Sequence, residues 1–166
     1  MTSLSKLIYY NRIPNMIHKL RVIIIFLIIL SGVASAQQSG FGLGLILGRP
    51  TGISGKYWMN PYRAIDGGFA WSIDKKGSLQ IHSDYLWHNY DIISVIKGKL
   101  PIYYGIGGRV VFATDNIAGI RGVAGLDYLF ASTPLDIFLE LVPILDLAPE
   151  VDFDFNAAIG IRYYFN

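Results

Sequence analysis

From Gln37 onward the chain alternates apolar and polar residues with a period of two, and no stretch keeps a helical period. The last segment is the clearest. Val151, Phe153, Phe155, Ala157, Ile159, Ile161, Tyr163 and Phe165 fall on one side, and Asp152, Asp154, Asn156, Ala158, Gly160, Arg162 and Tyr164 on the other. Successive side chains of an extended strand point to opposite faces, so one face is apolar and the other carries charge. The same pattern predicts strands over Gly40–Leu47, Ile53–Met59, Ala64–Ile73, Ser78–Tyr90, Leu100–Phe112, Ile117–Phe130 and Leu135–Val142, which with the last makes eight. Several are long enough to cross a bilayer as β-strands, which takes about 9–11 residues. Pro143 and the apolar stretch to Glu150 are expected to form a longer connection, folded over the rim or in contact with the membrane. The expected fold is an all-β, eight-stranded antiparallel up-and-down transmembrane barrel, because an apolar exterior in lipid cannot leave an open sheet edge.

Alternation does not say which face is outside. A soluble barrel of the lipocalin type turns its apolar face inward, and a membrane barrel inverts this. Two features favour inversion. The polar face is mostly Gly, Ala, Ser and Asn with isolated charges, which suits a narrow, filled lumen. All nine tyrosines beyond Gln37 lie towards the rim that holds the even-numbered connections and the C-terminus, with Trp58 and Trp87 beside them. An amphipathic ring prefers the headgroup level, so this rim is expected to be an interface girdle and, as the rim of the termini, the periplasmic one.

Charge adds a leader to this picture. Lys6, Arg12, Lys19 and Arg21 are the only charged residues in the first 36, and they precede the apolar run Val22–Leu30 and the small-x-small sequence Ala34-Ser35-Ala36. This is the pattern of a secretory signal peptide cleaved after Ala36; the apolar run is too short to span a membrane as a helix. Met16 offers an alternative start to the leader. Residues 37–166 then form the barrel domain, with 10 basic and 12 acidic residues, and nothing in that balance points to nucleic acid. The chain has no Cys, which excludes disulfides, thiolate metal sites and a cysteine nucleophile.

Candidate chemistry is sparse. His82 and His88 lie on one strand face but too far apart to share a metal, roughly 20 Å at 3.3 Å per residue. Ser83 falls on the face opposite His82 and Asp84, which breaks any nucleophile–base–acid set. Gly42, Gly44 and Gly48 line a strand and precede no helix, so they are not a nucleotide loop. Neither a catalytic residue, a cofactor nor a metal is expected. The charges of the polar face are the substantive set: Lys56, Arg109, Arg121 and Arg162 against Asp66, Asp84, Asp127, Glu140, Asp152 and Asp154. Buried charges must pair, so these ten are expected to form a salt-bridged plug, with a narrow ion path as the rival. Lys97 and Lys99 are expected to be solvated turn residues.

The segments Pro50–Trp58, Asp84–Asn89, Pro101–Arg109, Pro134–Leu147 and Asn156–Phe165 resemble those of short exported bacterial proteins described as small outer-membrane β-barrels related to the OmpA/OmpX group. The resemblance runs from about Gly42 to Phe165. It implies the fold and a Gram-negative outer-membrane location, and supplies no catalytic residue. It also implies that the last strand, with Tyr163 and Phe165, is the signal read by the assembly machinery; Asn166 stands where the family pattern ends in an aromatic. The expected partners are therefore membrane lipid and that machinery, around a monomeric barrel. The role expected is structural, in membrane integrity; the alternatives are a soluble periplasmic carrier of an apolar ligand and an enzyme that modifies lipid A.

Overall fold

The computed structural model describes residues 39–72 and 78–165. The leader at 1–36 and the turn at 74–77 lie outside the described residues, as do Ile73 and Asn166. Eight strands follow one another: β1 Gly40–Gly48, β2 Gly52–Asn60, β3 Arg63–Ser72, β4 Ser78–Asn89, β5 Ile102–Phe112, β6 Ile117–Leu129, β7 Leu135–Ala148 and β8 Asp152–Phe165. Each pairs antiparallel with its neighbour in sequence, and β8 returns to pair with β1 through Phe41↔Phe165, Gly44↔Arg162 and Gly48↔Ala158. The barrel is therefore closed, and no strand presents an unpaired edge.

The faces sort by parity. Phe41, Leu43, Leu45 and Leu47 of β1, Ile137, Leu139 and Leu141 of β7, and Phe153, Phe155, Ile159 and Ile161 of β8 are exposed on the outside. Lys56, Asp66, Asp84, Arg121, Asp127, Glu140 and Arg162 are buried within. A water-soluble fold places these two classes the other way round. Apolar side chains share the interior with the charges. Ile46, Leu86, Tyr103, Val123, Phe138, Val142, Ile144 and Ala158 form one cluster, and Trp58, Ala64, Leu129 and Tyr164 a second. Glycines make room for the larger rings: a Cβ on Gly125 would collide with the Tyr103 ring, and one on Gly160 with that of Phe138.

β7 corrects the expected connection. It runs on through Pro143 to Ala148, and the turn to β8 is only residues 149–151. Proline inside a strand normally signals an edge or a break, because it has no N–H for the ladder. Here the β6–β7 register passes from Arg121↔Ile144 to Ala124↔Leu141, and Pro143 falls in the gap between them. On its other side Pro143 stays in register with Phe155. Beyond it Ile144 and Asp146 turn inward while Leu145 and Leu147 turn outward, so the alternation continues.

The two rims differ. On the one bearing the C-terminus, residues 90–101 form the longest described connection, held along β6 by a backbone pair between Lys99 and Leu129 (3.0 and 2.8 Å) and by Asp127 N–H donating to Pro101 O (3.1 Å). On the other, the described turns 49–51, 113–116 and 149–151 are short.

Candidate functional site

The lumen gathers most of the described buried ionisable side chains, and the strands supply them at alternate positions. Near the C-terminal rim, Lys56 of β2 reaches across to Asp127 of β6, and its ammonium lies 2.9 Å from His88 Nε2 and 4.2 Å from the centre of the Trp58 ring. Arg162 of β8 donates from Nε to both carboxylate oxygens of Asp136 at 3.1 Å, approaches Asp127 and Asp66 at 3.8 Å, and lies 3.9 Å over the Phe138 ring. Tyr164 Oη donates to the same Asp136 at 2.5 Å. Trp58, Leu129 and Tyr164 pack with Ala64, and Tyr90 from the 90–101 connection packs against them, so this end of the lumen is stoppered by apolar and aromatic side chains.

At mid-depth Arg121 of β6 lies 3.0 Å from Asp84 and 3.9 Å from Glu140, and Tyr103 Oη donates to Glu140 at 3.1 Å. Arg121 is 1% exposed and has no share of bulk water. Its attraction there is that of charge at short range in a low-dielectric interior. At the far end Arg109 of β5 grips Asp146 with Nε and Nη2 (2.9 and 2.5 Å) and reaches Asp154 with Nη1 at 3.1 Å. This two-toothed geometry is the strong form of the Arg–carboxylate pair. Arg109, Asp154, Ser78, Gln80 and Asn156 line a vestibule of about 440 Å³ at that rim.

Nine of the ten expected charges thus lie in three ionic groups. Asp152 does not: it is exposed at the rim, and its carboxylate accepts from Phe153 N–H. Its parity is that of Arg162, but it lies beyond the closed part of the lumen, and alternation carries no information about depth. Asp136 and Asp146 complete the groups instead. Asp136 is legible as a polar-face residue of β7; Asp146 is hidden by the proline that made its segment read as a loop. Trp58, Tyr103 and Tyr164 also depart from the expected girdle. They share parity with Lys56, Arg109 and Arg162 and point inward, while Tyr57, Tyr62 and Tyr104 are exposed outside. Tyr163 and Phe165 end β8 with their rings in edge contact, centroids 5.0 Å apart.

His82 and Asp84 point into the lumen and Ser83 points out, its hydroxyl donating to Asp66 O at 3.1 Å. Among the described residues no three His, Cys, Asp or Glu side chains are arranged to hold a metal ion. Comparison of the chain with protein families, with curated proteins and with solved structures gives no match.

Proposed function

We propose that this protein is a monomeric outer-membrane barrel of a Gram-negative bacterium, exported by the leader at 1–36 and related to the OmpA/OmpX group, with a structural role in membrane integrity and no enzymatic chemistry or cofactor of its own. The observation that carries the reading is the segregation of the two faces: a closed barrel whose outside is a band of Leu, Ile and Phe and whose inside holds the ions. In water that arrangement wastes the hydrophobic driving force, while in lipid it satisfies both the apolar exterior and the backbone.

The rival readings fit the lumen less well. A carrier of apolar ligands needs an apolar cavity, whereas this interior is filled by Lys56, Arg121, Arg162 and their carboxylates. A continuous ion path needs an opening at both ends, whereas Trp58, Leu129, Tyr164 and Tyr90 close one of them. A hydrolytic enzyme built on His82 and Asp84 needs a nucleophile on their face, and Ser83 is on the other. The outer-membrane reading takes Tyr163 and Phe165, at the end of β8, as the signal that the assembly machinery engages.

Membrane fractionation with a gel comparing boiled and unboiled samples tests the proposal. The expected result is recovery in the outer-membrane fraction and a change of mobility on boiling. Recovery in the soluble periplasmic fraction, with one mobility before and after, contradicts it.

A further inference from the structure

The connection 90–101 carries chemistry that the barrel does not use. Its ends are fixed: Tyr90 Oη donates to Pro61 O at 2.8 Å, Tyr128 Oη donates to Lys97 O at 3.1 Å, and Lys99 pairs with Leu129. Gly98 turns the chain between these anchors with φ +74°, a conformation that L side chains rarely adopt. Between the anchors the chain reads Ile92-Ile93-Ser94-Val95-Ile96, and Ile92 and Ile96 are held out at 59% and 103% exposure. A firmly strapped loop therefore presents its apolar residues outward, when a turn of the same length in water would present polar ones.

A groove of about 340 Å³ lies behind it, lined by Tyr62, Tyr90, Ile93, Val95, Lys99 and Leu100. Its Tyr62 wall is exposed, and the Tyr62 and Tyr90 rings meet edge to face. Among the described residues the C-terminal rim exposes Arg63, Lys97 and Lys99 against Asp91. Apolar side chains flanked by lysines and aromatic rings, at the level where an apolar band ends, match a layer of anionic headgroups over acyl chains.

We propose that the 90–101 connection is a lipid-binding element: Ile92 and Ile96 enter the adjacent leaflet, and Lys99 at the groove, with the exposed Lys97 two residues before it, holds the phosphate of an anionic glycerophospholipid. This rests on the membrane reading above and adds to it a site and a ligand class.

The absence of cysteine makes the test clean. Single variants Ile96→Cys, Leu139→Cys and Asp115→Cys of the full barrel are labelled with an environment-sensitive fluorophore and reconstituted in phosphatidylcholine vesicles doped with phosphatidylglycerol. Quenching is read with spin-labelled phosphatidylcholine or spin-labelled phosphatidylglycerol. The expected result is quenching at positions 96 and 139 but not at 115, with phosphatidylglycerol the stronger quencher at 96 only. Lys97→Gln and Lys99→Gln should each reduce that preference about fivefold, the worth of one lysine near an anionic surface. Ile96 is fully exposed, so its replacement leaves the barrel's packing untouched, and retained gel mobility checks this for the lysine variants. Quenching at 139 without quenching at 96 overturns the lipid element and leaves the loop to an aqueous partner. Equal quenching of 96 by both lipids overturns the phosphate site. No quenching at 139 overturns the membrane reading itself.

Discussion

The two ends of the lumen handle buried charge differently. At the C-terminal end, Lys56, Arg162, Asp127 and Asp136 are sealed under Trp58, Tyr164, Leu129 and Tyr90, with at most 1% of any of the four charged side chains exposed. At the other end Arg109 holds Asp146 and Asp154 below an open vestibule, and Asp154 keeps a third of its side chain in contact with solvent. The first group is fully buried, so each charge depends on its partner. In the second, Asp154 faces the vestibule and can be rehydrated, while Asp146 is buried beneath it. The same residue types therefore serve as an obligatory plug at one end and an adjustable latch at the other.

Substitutions that remove one cation from each group sharpen this contrast. Arg162→Met strands Asp136 and deprives Asp127 and Asp66 of their shared neighbour; the unfolding free energy in lipid should fall by about 3–5 kcal/mol, read from a urea midpoint. Arg121→Met, which leaves Asp84 and Glu140 facing each other without a cation, should fall at the lower end of that range. Tyr164→Phe removes only a hydrogen bond to the ionised Asp136, and about 2 kcal/mol is expected. Arg109→Met should cost about 2 kcal/mol, because it strands the buried Asp146 while Asp154 is already partly solvated. Asp152→Asn should lie within about 0.5 kcal/mol of the parent, as for a surface substitution. If Arg109→Met proves as damaging as Arg162→Met, the distinction between plug and latch is lost.

Much of this was legible from parity alone. Period-two alternation identifies eight strands and separates the two faces of each, because a one-residue slip would exchange them. It also groups Lys56, Asp66, Asp84, Arg121, Asp127, Glu140 and Arg162 on one side of the sheet. What it omits is everything that depends on the third dimension. Parity puts Trp58 and Tyr164 on the lumen face, but their position near a rim and the general preference of aromatic rings for the membrane interface pull the reading outward. Asp152 and Asp154 have the same parity and nearly the same sequence position, yet only Asp154 reaches Arg109. The partner of Arg162 could not be chosen from several polar-face acids until the register put Asp136 opposite it. Pro143 concealed the upper half of β7, and with it Asp146, because a gap in one ladder is invisible until the neighbouring strand is in place.

The direct test of the central claim, that the apolar face meets lipid and the ionic face is enclosed, is a cysteine scan along β7 in vesicles containing spin-labelled lipid. Probes at Ile137, Leu139 and Leu141 should be quenched, and those at Phe138 and Val142 should not, giving a period of two along the strand. Uniform quenching, uniform protection or the opposite parity would contradict the account.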